Sequence, residues 1–175
     1  MEFTDIAWIV KWASSWEGLG NKFLANIRET DTILQVVRVF SDDNIIHVHG
    51  KVNPRYDIEI INSELILADV ESLEKRIINN ARKAKSDKEL AGLQEVYEGL
   101  LKHLMEGKLA CTYSMDEETR AKTKDLFLLT AKKFVYAANV SEDMMDTSEE
   151  KLKEILGITD DEIRVVPICA KLEED

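Results

Sequence analysis

Three short stretches carry residue types whose spacing could do chemistry. Asn139–Val140–Ser141–Glu142 sets an amide and a carboxylate three residues apart, directly after the apolar run Phe134 to Ala138. Such a pair can read the hydrogen-bonding edge of a nucleobase, the amide donating and the carboxylate accepting. Cys169–Ala170–Lys171 follows the run Ile163 to Ile168 and makes a turn whose backbone N–H groups could serve the same base. Near the start, Asp5 follows Phe3–Thr4, where a strand-end carboxylate can hold a magnesium ion, usually through water. Taken singly, Asn139 is an ordinary turn residue and Asp5 an ordinary helix cap. Their order, spacing and shared place after apolar runs favour a binding site, because open α/β sheets bind ligands beyond the carboxyl ends of their strands.

The elements that must position these residues are legible in the apolar pattern. Ile33 to Phe40, Phe134 to Ala138, Ile163 to Ile168 and, more weakly, Phe3 to Ala7 read as strands. The runs barely alternate, which suits strands covered on both faces in a parallel sheet. Helical patterns lie between them, over Asn21 to Glu29, Glu117 to Leu129 and Ser148 to Leu156, with Gly157 as a stop after the last. Strands alternating with helices predict an α/β fold with a doubly wound, mostly parallel sheet. The middle differs. Ile66, Val70, Leu73, Ile77, Ala81 and Ala84, then Leu90, Leu93, Tyr97, Leu100 and Leu104, form two near-heptad seams. Lys85–Ser86–Asp87 is a polar turn in which Ser86 or Asp87 can cap the second helix, and Gly107 can end it. The pattern predicts an inserted antiparallel helical hairpin, each arm about 30 Å long.

The composition narrows the class. A chain of 175 residues, 45% hydrophobic, is one ordinary domain with room for a small insertion. Charged residues make up 33%, above the roughly 25% of ordinary globular chains, which suits long exposed helices. Only 7 Gly and 2 Pro exclude collagen and low-complexity sequence, and argue against a turn-rich β sandwich. Cys111 and Cys169 supply neither a disulfide framework nor a zinc site, so a reducing, cytoplasmic compartment is expected. No apolar run approaches the roughly 20 residues that span a bilayer, and no basic-then-apolar signal segment opens the chain. No membrane partner is expected. The net charge of −11 opposes attraction to nucleic acid over the surface as a whole, yet leaves room for a local basic face. Lys75, Arg76, Arg82, Lys83, Lys85 and Lys88 gather near the hairpin turn, diluted by Glu71, Glu74, Asp87 and Glu89. His47 and His49 alternate without a third ligand and read as one face of a strand.

Longer stretches carry a family resemblance. Asp5–Ile6–Ala7 with Glu17–Gly18–Leu19–Gly20–Asn21–Lys22–Phe23–Leu24 is similar to the switch II region of the YchF/Obg-like ATPases. The similarity runs on through Val36–Val37–Arg38–Val39–Phe40, Gly50–Lys51–Val52, Asp57–Ile58–Glu59 and Leu67–Ala68–Asp69 to Leu128–Leu129–Thr130–Ala131–Lys132. It covers essentially the whole chain. The resemblance implies a partial P-loop NTPase of G-domain type, with residues 1–62 and 109–175 as G-domain segments and 63–108 as the helical hairpin insertion. It implies a nucleoside-triphosphate hydrolase that binds ATP or GTP with Mg and associates with ribosomes. Asp5 matches the magnesium-linked Asp of the DxxG motif. Asn139 and Glu142 match the family's NxxE, which stands where guanine-specific relatives carry NKxD and goes with a preference for ATP. Val140 falls inside that motif. Cys169, Ala170 and Lys171 match the other base-contacting turn, with Cys169 where Ser is common. Ile9 stands where many GTPases carry a catalytic Gln, so no side chain is expected to orient water there. The adenine reading requires both loops to meet over one rim.

Two departures from the family qualify what is expected. No G-x-x-x-x-G-K-[ST] occurs, so the chain lacks the backbone cradle, Lys and hydroxyl that hold phosphates and magnesium. The chain reads as a middle segment, with the P-loop and switch I before Met1 and a TGS domain after Asp175, and is expected to show no ATPase activity alone. Trp8, Trp12 and Trp16, four apart, stand where the family has Gly. On a helix they would make one aromatic stripe. A gene whose UGA codons specify glycine, translated with UGA as Trp, would give the same three residues. The alternative to an ATPase segment is a non-catalytic interaction module whose hairpin binds a protein or RNA.

Overall fold

The computed structural model describes Leu24, residues 26–41, 52–85 and 87–173. The expected strand Phe3 to Ala7, Asp5, Ile9, the three tryptophans, His47, His49 and Ser86 lie outside the described residues. Three strands, β1 (Thr32–Arg38), β2 (Lys133–Asn139) and β3 (Arg164–Ile168), form a parallel sheet in the order β1-β2-β3. These are the three apolar runs whose β-branched and aromatic residues predict buried strands. Phe134, Tyr136, Ala137 and Ala138 are all buried, so β2 is covered on both faces as a central parallel strand should be. In β1 the burial alternates, with Gln35 and Val37 inside and Leu34 and Val36 about half exposed.

The described residues fall into two compact units. One holds Thr32–Ile61 with Lys133–Asp175, the other Met1–Asp31 with Asn62–Lys132. The sheet belongs to the first. There β3 is followed by α5 (Ala170–Glu173) and preceded by α4 (Glu149–Leu156), whose buried Leu152 and Leu156 form its apolar face. Ser148 caps α4 through Lys151 N–H, and Gly157 ends it at φ 74°, a left-handed turn that favours glycine. Arg55 donates to the last carbonyls of α4, Glu154 O at 2.6 Å and Ile155 O at 3.1 Å, satisfying acceptors that a helix end leaves open.

The second unit is helical. α1 (Pro54–Ala84) supplies residues to both units, and α2 (Lys88–Met105) returns after a short turn. Asp87 caps α2 by accepting from Glu89 and Leu90 N–H, and Gly107 follows at φ 78°. Asn80 is buried and donates to Leu90 O at 2.9 Å and Gln94 Oε1 at 3.0 Å, tying the antiparallel arms together. α1 starts well before Ser63, where the seam begins. Pro54 takes the first helical position, and Asn53 Oδ1 accepts from Tyr56 N–H. At 31 residues α1 is about 46 Å long, against about 27 Å for the 18 residues of α2. The expected helix Glu117 to Leu129 is also corrected. α3 (Glu117–Thr123) ends in a single 3-10 turn over Lys124–Leu126, and Phe127 turns left-handed at φ 49°. The amides of Leu129 and Thr130 bond to a side chain instead of to helical carbonyls.

Candidate functional site

The rim of the sheet is built by register. β2 and β3 pair Asn139 with Ile168, so both strands stop at one level. Val140 N–H donates to Ile168 O at 2.8 Å, extending the ladder one residue beyond the strands. The chain after β2 makes a 3-10 turn over Glu142–Met144 that Ser141 O closes with Met144 N–H. The chain after β3 turns at Cys169, whose carbonyl accepts from Leu172 N–H. The two loops therefore leave the sheet side by side.

Side chains join them. Asn139 Oδ1 accepts from Ala170 N–H at 3.2 Å, which leaves the two Nδ2 protons as the amide's donors. Glu142 Oε1 lies 3.3 Å from Lys171 Nζ, the second contact between the loops. Both groups are largely exposed, so this ion pair contributes little energy. Val140 and Cys169 are buried at 1% and 3% exposure, with their side chains inside the core. They hold the two loops from inside. The polar groups gathered at this rim are then the Asn139 amide, the Glu142 carboxylate and the exposed Lys171 ammonium. Among the described residues no group of three His, Cys, Asp or Glu side chains gathers to hold a metal ion. None of the helices described is long and apolar enough to cross a membrane.

A second polar centre, in the helical unit, escapes sequence reasoning. Asp69 on α1 is fully buried. Its Oδ1 accepts from Leu129 N–H at 2.7 Å, and its Oδ2 accepts from Thr130 N–H and the Thr130 hydroxyl, both at 2.7 Å. Thr130 in turn accepts from Ala110 N–H through Oγ1 and from Cys111 N–H through its carbonyl. Burial pushes the Asp69 carboxyl above the usual range, and the Thr130 and Leu129 donors offset part of that rise. This is a lock that fixes the segment leading into β2. Its signal is one charged residue inside the apolar stripe of α1, between Ile66 and Leu73.

No family model matches the chain. It is 48% identical over 178 residues to the ribosome-binding ATPase YchF of Bacillus subtilis, covering 99% of this chain and 49% of that protein. It is 45% identical to the protein of the same name from Escherichia coli O157:H7, covering 100% of this chain and 48% of that protein. The solved structure of the Schizosaccharomyces pombe YchF GTPase superposes with a TM-score of 0.73 at 33% identity, covering 94% of this chain and 47% of that chain. The fold is thus that of a P-loop GTPase relative, in agreement with the α/β reading. The chain is similar to YchF proteins along its whole length, and it spans about half the length of the curated relatives it matches.

Proposed function

We propose that this chain supplies the base-recognition and helical parts of a ribosome-associated ATPase of the YchF type. The observation that carries the reading is the pair of contacts, Asn139 to Ala170 and Glu142 to Lys171, that ties both strand-end loops into one rim. Adenine offers an amino group beside ring-nitrogen acceptors. Asn139 Nδ2 donates to a ring nitrogen, and the Glu142 carboxylate accepts from the exocyclic amine. The Ala170 turn shapes the pocket, Lys171 releases Glu142 as the base arrives, and Val140 and Cys169 hold the loops from inside. Residues 63–108 act as the helical insertion between G-domain segments 1–62 and 109–175. Asp5 serves the magnesium ion of a bound nucleotide. Magnesium, when bound together with the nucleotide, would supply electrostatic stabilisation of the phosphates.

The test is a titration of the isotope-labelled chain with ATP and with GTP, followed by amide chemical shifts. Without a phosphate cradle in the sequence the affinity is weak, near the millimolar range, about −4 kcal/mol. Shifts confined to residues 139–143 and 169–172, larger for ATP and reduced about tenfold in affinity by Asn139→Ala, are expected. Unmoved rim amides at saturating ATP would sink the base-reading role. Such silence together with retained partner binding would favour the alternative, an interaction module working through its hairpin.

A further inference from the structure

We propose that the groove between α1 and the turn ending at Phe127 is a docking site for a basic protein segment that carries an apolar anchor. Phe127 breaks two local rules at once. Its backbone is left-handed at φ 49°, and it is the one non-glycine residue with positive φ among the described residues. A side chain with a Cβ is strained there, and Gly or Asn is the ordinary choice. Its ring is also 71% exposed, so the fold gains little burial from keeping a Phe at this position. The segment does not owe its shape to the ring. Before Phe127, Asp125 pairs with Arg76, and after it Asp69 takes the Leu129 and Thr130 amides. An aromatic residue held rigidly, under strain and in solvent, is accounted for by something that covers it.

Leu126 and Leu128, the chain neighbours of Phe127, line a groove of about 240 Å³ together with Leu73, Arg76 and Asn79 of α1. Leu73 and Leu128 are buried and give it an apolar floor. Ile78, next to Asn79 on the α1 side, is 60% exposed. The volume falls below the roughly 300–1,000 Å³ of small-molecule pockets and suits a single anchoring side chain. Exposed aromatic and aliphatic residues beside an apolar groove are what protein interfaces use, whereas phosphate contacts rely on unengaged cations. The two cations that line the groove are engaged, Lys75 with Glu71 and Arg76 with Asp125. Charge then selects among protein partners. Glu74, one turn before Ile78, and Lys124, in the turn before Phe127, are exposed and have no ion pair among the described residues. They balance each other, so the net charge of −11 sets the field that a partner meets. That field attracts a basic segment and repels a second copy of the chain.

The experiment selects binders to the whole immobilised chain from a random dodecapeptide phage library, then measures synthetic copies of the enriched peptides by fluorescence anisotropy. Enriched peptides are expected to carry Lys or Arg around an apolar residue, and to bind more weakly as KCl rises. Phe127→Asn and Ile78→Ser should each weaken them at least about tenfold. Met105→Ser removes a similarly exposed apolar side chain on α2 and should leave the affinity unchanged. Phe127→Asn should also hold or raise the urea midpoint, because Asn suits the left-handed backbone and little burial is lost. A midpoint that falls sharply makes Phe127 a structural residue and overturns the proposal. So does a library that yields no enriched peptide, a set of enriched peptides that is acidic, or an affinity that Phe127→Asn and Ile78→Ser leave unchanged. Sedimentation equilibrium and a fluorescent RNA stem–loop test the other occupants. Self-association abolished by Phe127→Asn identifies a second copy, stem–loop binding abolished by it identifies RNA, and either result overturns the basic-protein assignment.

Discussion

At the scale of single residues, the strongest polar commitment in the described chain is Asp69. Three donors converge on its buried carboxylate, from two consecutive backbone amides and the Thr130 hydroxyl. Removing the acceptor strands all three, and each unsatisfied buried group costs about 1–3 kcal/mol. Asp69→Ala is therefore expected to lose about 3 kcal/mol or more of unfolding free energy in urea, with Asp69→Asn nearly as damaging because its Nδ2 faces donors. Asp125→Asn, which breaks only the exposed pair with Arg76, should stay within about 1 kcal/mol of the unaltered protein. Equal effects at the two sites would show that the buried network carries no special weight. Sequence patterns leave Asp69 unassigned, because helical periodicity marks an acid inside an apolar stripe without saying what it binds. The rim residues were legible for the opposite reason. They follow short apolar runs rich in β-branched or aromatic residues, and strand ends are where an α/β sheet puts its chemistry.

At the scale of elements, strands were easier to locate than helix ends. Apolar runs mark β1, β2 and β3 to within two residues, and β2, the strand buried on both faces, has the run with no polar interruption, whereas β1 and β3 each keep one exposed edge of residues. Helix boundaries depend on caps and on competing partners. Pro54 and Asn53 start α1 ahead of its apolar seam, and Asp69 takes the amides that would have carried α3 toward Leu129. Stops are clearer, because glycine supplies a conformation other residues resist. Gly107 and Gly157 both have positive φ, yet their surroundings differ. A Cβ at Gly107 meets nothing within 4 Å, whereas one at Gly157 would stand 3.2 Å from Arg55 Cδ. Gly107→Ala should cost about 1 kcal/mol, the left-handed penalty alone. Gly157→Ala should cost more, because it also crowds the side chain that satisfies the Glu154 and Ile155 carbonyls. Denaturation of the two variants in parallel checks the order, and a larger loss at Gly107 would contradict it.

At the scale of the whole molecule, charge decides the response to acid. The 34 acids outnumber the 23 Lys and Arg, so mild acidification first relieves self-repulsion and favours the compact state. Further acidification works against it. Glu71 and Glu106 are held below the usual carboxylate range by Lys75 and Lys108, and Glu154 by Lys151. Backbone donors do the same at Asp116, through Thr119 N–H, and at Glu149, through Val165 N–H. A group with a depressed folded-state pKa stabilises the fold above its unfolded value, near 4, and loses that contribution as pH falls through the depressed value. Asp69 runs the other way. Its raised pKa makes the folded state take up a proton more readily, so its share favours folding at low pH and fades as pH rises through the raised value. Glu150 is lowered as well, so one raised carboxyl opposes six depressed ones, and the expected stability curve peaks near about pH 5 and falls toward about pH 3. Glu149→Gln keeps an acceptor for Val165 N–H but cannot titrate, so it should flatten the acid limb while leaving the neutral limb slightly lower. Urea midpoints of both proteins at pH 3, 5 and 7 test this. Midpoints that climb steadily to the lowest pH would mean that relief of repulsion, and not the paired carboxylates, governs the acid response.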